Sequence, residues 1–283
     1  MTTVSIIMRS FNDSGFIEST FKGILRQNYQ DFEIVNVDSG SSDGTYDIVR
    51  AYNTGTVYQI RPEEYVPGLV LNTAISRSKG DIIVFNNSDC IPQNADWLEN
   101  LIAPLSDPHV AATYGRQNPR PDAHPLVRKD HDRAFGDGSI SSRWRHFFSL
   151  ATSAVRKNVI VEHPFHPKIQ YSEDIEWSYR MKQKGYALRY VPDAVVEHSH
   201  NYTIPQVRKR FYEEGRAEAL IYGRKFRLFA DFMRPCGMEI LRDLVYLIKS
   251  GQYARIPYSF HYRAVQKYAA YKGNQDYFSG NRY

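Results

Sequence analysis

Short apolar runs alternate with helix-spaced segments over the first two thirds of the chain. Residues 4–8, 32–37, 56–60 and 81–85 are runs of the buried-strand type. Between them, Phe16, Ile17, Thr20, Phe21, Ile24 and Leu25 recur at the spacing of one helical face, and residues 43–52 and 69–78 read as further helices. Strand and helix in regular alternation predict an α/β fold, a mostly parallel Rossmann-like sheet with helices on both faces. Further on, residues 97–105 read as a helix, 110–114 as a strand, 173–184 as a helix stopped by Gly185, and 187–191 with 194–197 as strands. Two segments break the rhythm. Residues 117–142, rich in Pro, Asp, Arg, His and Gly, predict a long mobile loop able to close over a ligand. Beyond Ile204 the chain turns helical, which predicts an α/β domain over residues 1–203 and a helical C-terminal extension over 204–283.

Composition changes this picture in three places. The net charge of +5 sits in the tail: residues 1–200 carry 21 Lys+Arg against 24 Asp+Glu, and residues 201–283 carry 15 against 7. A basic segment interleaved with aromatics suits an anionic lipid surface, a nucleic acid, or a solvated helical face, and nothing besides charge supports nucleic acid. Two cysteines, Cys90 and Cys236, are too few for a disulfide framework or a cysteine-built zinc site, so a reducing, cytoplasmic setting is expected. The first nine residues lack the basic start and apolar stretch of a signal peptide, and no apolar run reaches the roughly 18 residues of a spanning helix. Membrane contact, where it exists, is therefore expected to be peripheral.

Candidate chemistry lies where strands end. Asn87, Ser88 and Asp89 follow an apolar strand, and Asp38 follows another and opens a small-residue loop through Thr45. In open α/β sheets, ligands bind at such carboxyl ends. Asp89 suits a hard divalent cation shared with substrate phosphates. Asp38 suits a nucleobase or ribose hydroxyl, or else it only braces the turn. Glu173 and Asp174 open a helix, where acids are favoured by the unpaired amides whatever their function; either one is also a candidate general base. Trp177, one turn later, is a candidate apolar wall for a sugar ring or plain core. His198 and His200 flank Ser199 after a strand, and either imidazole is a candidate to join Asp89 on Mn²⁺ or Mg²⁺. No dinucleotide-type or Walker-type glycine loop occurs, which removes nicotinamide and P-loop readings.

Several longer strings are more specific. Residues 4–7 with Asn12, residues 25–29, and residues 33–45 resemble the start of family 2 glycosyltransferases with the GT-A fold, and Gly68, Asn72, Ala74 and residues 79–81 continue the likeness up to Asp89. Residues 114–117, 172–177 and 198–202 look like the rhamnosyltransferase-type branch of that family. Two positions depart from the common pattern: Asn87 stands where many relatives have the first Asp of Asp-x-Asp, and Leu69 stands where a basic residue is frequent.

The resemblance implies inverting transfer of a sugar, with rhamnose one candidate, from a nucleoside diphosphate donor to a hydroxyl of a saccharide or lipid-linked saccharide, in bacterial surface polysaccharide or glycolipid assembly. It implies a donor site of Ser10, Asn12, Asp38, Gly40, Asn72, Asn87 and Ser88, with the nucleotide-sugar part over residues 1–115 and the acceptor part over 116–203. Arg116, Gln117 and Trp177 would meet the acceptor, Asp174 with Glu173 would supply the base, and Asp89, His198 and His200 would hold Mn²⁺ or Mg²⁺. The basic extension would rest on an anionic membrane at the inner face of the plasma membrane, and no nucleic-acid partner is expected. Two other readings stay open on the sequence: a sugar-nucleotide nucleotidyltransferase, and a non-catalytic nucleotide-sugar or glycan-binding module.

Overall fold

The structure, a computed structural model, describes residues 3–280; residues 1–2 and 281–283, which the expected α/β domain and helical extension include, lie outside the described residues. The strands are β1 (Val4–Ser10), β2 (Phe32–Asp38), β3 (Thr56–Gln59), β4 (Ile82–Asn86), β5 (Ile91–Pro92), β6 (Val110–Asn118), β7 (Thr152–Arg156) and β8 (Ala187–Glu197). The helices are α1 (Ile17–Leu25), α2 (Thr45–Tyr52), α3 (Pro67–Arg77), α4 (Trp97–Ile102), α5 (Pro125–Phe135), α6 (Lys157–Glu162), α7 (Glu173–Gln183), α8 (Ile204–Tyr222), α9 (Arg234–Lys249) and α10 (Ile256–Phe278).

One sheet carries the strands in the order β3-β2-β1-β4-β7-β6-β8-β5. Strands β1 to β4 are mutually parallel, as the alternating pattern predicts. Strand β7 runs antiparallel between β4 and β6, while β6 and β8 pair parallel, so the sheet is mixed. Two reversals across β7 restore direction. The carboxyl ends of β1, β2, β4, β6 and β8 therefore emerge along one edge, where α/β sheets place ligands.

The sheet is buried on both faces because its central strands are apolar at consecutive positions. In β1, Val4, Ile6 and Met8 face α1 and α4 through Ile17, Phe21, Trp97 and Leu101, and Ile7 faces the opposite layer with Leu71, Ile75, Ile160 and Trp177. Each of those side chains is nearly or wholly buried, and a fully buried Leu, Ile or Phe contributes about 1.5–3 kcal/mol.

The segments up to Arg120, Arg133–Lys168 and Glu173–Ser199 form this α/β unit, whereas Pro121–Asp132, Ile169–Ser172 and the chain from His200 onward form a helical unit. The helical unit thus takes in two earlier segments besides the chain from His200 onward. Its longest helices, α8 and α10, touch backbone to backbone. A Cβ on Gly215 would lie 2.0 Å from the Ala270 carbonyl oxygen, and one on Gly273 would lie 1.9 Å from that of Tyr212, so only glycine permits this approach.

Residues 117–142 are not the predicted loop, since α5 occupies their middle. Pro125 is pre-set for a first helical turn. The helix was hidden because part of its buried face is Lys129, 5% exposed, whose ammonium meets the Asp243 carboxylate 114 residues away. Asp243 is fully buried and also accepts hydrogen bonds from Ser259 Oγ at 2.9 Å, Arg263 Nε at 2.8 Å and Arg263 Nη2 at 3.1 Å. Asp130, Glu239 and Asp243 cluster as a metal site would, yet Lys129, Arg242 and Arg263 already pair with them.

Candidate functional site

Four loops at the carboxyl edge of the sheet are stitched together by side chains. Ser10 and Asp38 are register partners at the ends of β1 and β2, and Ser10 Oγ donates to Asp38 Oδ2 at 2.9 Å. The Asn12 amide donates to Ser41 Oγ at 2.9 Å, and Asn12 Oδ1 accepts from the Ser42 amide at 2.9 Å. Ser88 Oγ donates to Asp13, whose carboxyl burial pushes above its ordinary range. Gly40 has φ +81°, and a Cβ there would lie 2.8 Å from the Pro62 ring, so the small-residue loop turns where only glycine fits.

Asp38 proves to be the organiser of this loop. Its carboxylate is fully buried and accepts from the Gly40 amide at 3.1 Å, the Ser41 amide at 2.9 Å, Ser41 Oγ at 2.6 Å and Gln59 Nε2 at 2.9 Å, besides Ser10. Both oxygens are engaged by the chain itself, so the carboxylate braces the turn. Asn72 is likewise spent: it gives Nδ2 to the Phe165 carbonyl at 2.9 Å and accepts the Phe165 amide at 3.0 Å, tying α3 to the segment before α7.

Arg9 joins the strand ends to α7. Its guanidinium donates to Asn87 Oδ1 at 3.4 Å, to Tyr65 Oη at 3.1 Å and to Glu173 Oε1 at 2.9 Å. Glu173 is thereby held, and Asp174 is the adjacent carboxylate. Asp174 accepts from the Leu150 amide at 3.2 Å and the Ile175 amide at 2.8 Å. Burial and then the neighbouring Glu173 charge push its carboxyl up to about 6, against those backbone hydrogen bonds and Arg9. A carboxylate with that affinity for protons is ionised at neutral pH and suited to accept one.

At the β4, β6 and β8 ends, Asp89, Cys90 and His198 bring one ligand atom each to within 4.8 Å of one another. Gln117 Nε2 donates to Ser149 Oγ at 2.8 Å, so Gln117 Oε1 is the acceptor for His198 Nδ1–H at 2.8 Å. His198 Nε2 then faces Asp89 Oδ2 across 3.5 Å. A ring lone pair and a carboxylate oxygen face each other stably only with a proton or a cation between them. One carboxylate and one imidazole, completed by substrate oxygens and water, fit Mn²⁺ or Mg²⁺. The Cys90 thiol is fully buried, which pushes it well above its ordinary range and keeps the sulfur protonated.

Arg120 buttresses this corner. Its Nη2 donates to the Asp89 carbonyl at 2.7 Å and lies 3.2 Å from Asp89 Oδ2, its Nη1 donates to the Ser199 carbonyl, and its guanidinium lies 3.9 Å over the Phe16 ring. Neither Arg9 nor Arg120 stands out in the sequence, although Arg9 does sit in the strand end that carries Ser10. Gln117, expected at the acceptor, is 4% exposed and orients His198 instead. Trp177 is fully buried against Phe148 and Phe165 and donates Nε1–H to the His163 carbonyl at 2.6 Å, so it is core and not a wall for a sugar. Arg116 is half-buried at the β6 end, its Nε donating to Asn118 Oδ1 at 3.1 Å. His200 belongs to the helical unit, its ring stacked on Tyr202 with centroids 5.2 Å apart; strand β8 ends at Glu197, so the alternation expected to align it with His198 does not extend that far.

The profile of glycosyl transferase family 2 matches residues 5–167. The chain is 28% identical over 223 residues to the O-antigen chain rhamnosyltransferase RfbN of Salmonella typhimurium, covering 75% of this chain and 71% of the relative. It is 33% identical over 210 residues to the O-antigen chain rhamnosyltransferase WbaN of Salmonella anatum, covering 69% of this chain and 65% of the relative. Among solved structures, the mannosyltransferase PcManGT from Pyrobaculum calidifontis, in complex with GDP-Man and Mn²⁺, superposes with a TM-score of 0.70 at 18% identity, over 99% of this chain and 88% of that one, a likeness of fold. With a matched segment that includes the strand ends carrying Asp38 and Asp89, the chain belongs to glycosyl transferase family 2, a glycosyltransferase of GT-A fold.

Proposed function

We propose that the protein transfers a sugar, with rhamnose the first candidate, from a nucleoside diphosphate to a hydroxyl of a saccharide acceptor, with inversion, during assembly of a surface polysaccharide. The observation that carries this reading is the Arg9 bridge. One guanidinium binds both Asn87 and Glu173, which draws the Asp89 strand end and the Asp174 helix start to a common centre. Asp174 takes the acceptor proton as the hydroxyl attacks the anomeric carbon in line with the departing diphosphate. Asp89 and His198 would hold the divalent cation, which when bound supplies positive charge to the leaving diphosphate. Arg120 keeps Asp89 and Ser199 in place, and the stitched loops after β1 and β2 bound the nucleotide end.

A panel of nucleotide sugars tested by thermal shift with and without Mn²⁺ checks the reading. The true donor should raise the melting temperature in a Mn²⁺-dependent way, because a ligand at about 100 times its Kd stabilises by roughly 2.7 kcal/mol. Asp89→Ala should abolish that dependence. A donor shift that keeps its Mn²⁺ dependence in the variant would remove Asp89 from the metal site.

The same reading places the acceptor at a membrane surface. No helix among the described residues is long and apolar enough to cross a membrane. However, Met238, Leu241, Val245 and Ile248 recur along one face of α9 and are 41–63% exposed, with Leu228, Phe229 and Met233 exposed just before it. Arg234, Arg242 and Lys249 are also exposed on this helix. An apolar stripe bordered by cations suits shallow insertion into an anionic leaflet. Vesicles of phosphatidylglycerol should co-sediment the protein at low salt, and Leu241→Glu with Val245→Glu should release it. Equal sedimentation of the double variant would show that the stripe does not bind the bilayer.

A further inference from the structure

The helical unit encloses a cavity of about 460 Å³ that no step above uses. Its volume lies in the roughly 300–1,000 Å³ range of small-molecule sites. Tyr202, Tyr258 and Tyr262 supply aromatic surface, and Asn201, Arg128 and Arg255 supply polar groups. The His124 ring lies 4.9 Å from that of Tyr258, centroid to centroid, and Tyr258 lies 5.8 Å from Tyr262. Tyrosine faces interleaved with amide and guanidinium groups are what a sugar ring needs, because its C–H faces pack on aromatic carbon while its hydroxyls require hydrogen bonds.

The charge of the cavity narrows the ligand. Arg128 spends Nε and one Nη on the carbonyls of Ala123 and Pro121. Arg255 is exposed at the rim and makes no ion pair among the described residues. Asp122 is the one carboxylate in the lining. His124 Nδ1 accepts the Leu126 amide at 3.3 Å, which leaves the proton of the neutral ring on Nε2, and Nε2 is buried without a hydrogen-bond partner. Burial, then Arg255 and Arg263, hold the imidazole below its ordinary range, so it stays neutral and a donor at pH 7. The lining thus offers an unpaired guanidinium, which calls for an oxygen acceptor carrying negative charge.

We propose that this cavity is a second saccharide subsite, taking a pyranose that bears a phosphate or carboxylate and belongs to the acceptor at a unit other than the one glycosylated. The assignment rests on the transferase reading and adds to it an acceptor of more than one unit with an anion on it. The anion has two sources in such acceptors, the phosphate end of a lipid-linked saccharide or a uronic acid within the glycan. Arg255 pairs with the anion, and Tyr258 and Tyr202 pack against the ring.

Ligand-observed NMR with galactose 1-phosphate, glucuronic acid and methyl α-D-galactopyranoside tests this on the full chain. Both anionic sugars are expected to bind at least tenfold more tightly than the neutral one. Arg255→Ala, an exposed position that leaves the fold intact, should erase that preference, and Tyr258→Ala should weaken all three at least tenfold. A preference for phosphate over carboxylate assigns the lipid-linked source, and the reverse assigns the uronic acid. Asp89→Ala should keep this binding while losing Mn²⁺-dependent donor binding, so the two sites fail separately. No binding of any probe at millimolar concentration, unchanged binding in both Arg255→Ala and Tyr258→Ala, or loss in Asp89→Ala would overturn the proposal.

Discussion

Asp174→Asn is expected to lower kcat by about 100- to 10,000-fold, the usual worth of a positioned base, while donor affinity stays within twofold. The two amides bond different oxygens of Asp174, so the asparagine keeps one of these hydrogen bonds through its single acceptor oxygen and loses the other. In the parent protein, kcat should fall as pH drops through about 6, where Asp174 takes up its proton. Stability runs the other way. The folded state holds this proton more tightly than an ordinary carboxyl of 3.8, so the group's contribution to stability is present below about pH 4 and is lost as pH rises through about 6. Asp174→Asn removes that charge at pH 7, which offsets the amide hydrogen bond it loses, as is common where a site holds a desolvated charge for chemistry. Unchanged turnover would remove Asp174 as the base, and a loss of stability beyond the roughly 1–3 kcal/mol of one unsatisfied amide would contradict the burial argument.

Asp243→Ala should destabilise the helical unit by about 3–5 kcal/mol, because it leaves the buried Lys129 and Arg263 without their shared counter-charge. Burial alone raises the Asp243 carboxyl, but the hydrogen bond and charge of Arg263, with those of Lys129, outweigh it and hold it below the ordinary range. The stabilisation is accordingly present above about pH 4 and lost as pH falls further. Urea titration followed by circular dichroism measures both effects. A loss under about 1 kcal/mol would mean that water or other acids already satisfy the two cations.

These cases show what a linear reading can and cannot see. Apolar runs disclosed β1, β2, β4 and β8, and with them the edge where Asp89 and His198 meet, because strand burial is written in consecutive residues. Helix α5 was invisible because Lys129 occupies a core position by virtue of Asp243, far away in sequence. Asp38, Gln117, Asn72 and Trp177 each spend their polar atoms on the chain itself. Local pattern says that such a side chain matters, and only packing says whether it turns toward ligand or toward its own chain. Arg9 and Arg120 carry no pattern at all, since a lone arginine gains meaning from the carboxylates and carbonyls that converge on it.

The glycine contacts between α8 and α10 bear on how selective the aromatic cavity is. Carbonyl oxygens seated against bare Cα atoms act as a key, so neither helix can slide or roll without collision. Tyr258 and Tyr262 ride on α10, and Tyr202 leads into α8, so the spacing of the three rings is set before any sugar arrives. Little ordering is then left for the ligand to impose, and a ring of the wrong width meets a wall that does not yield.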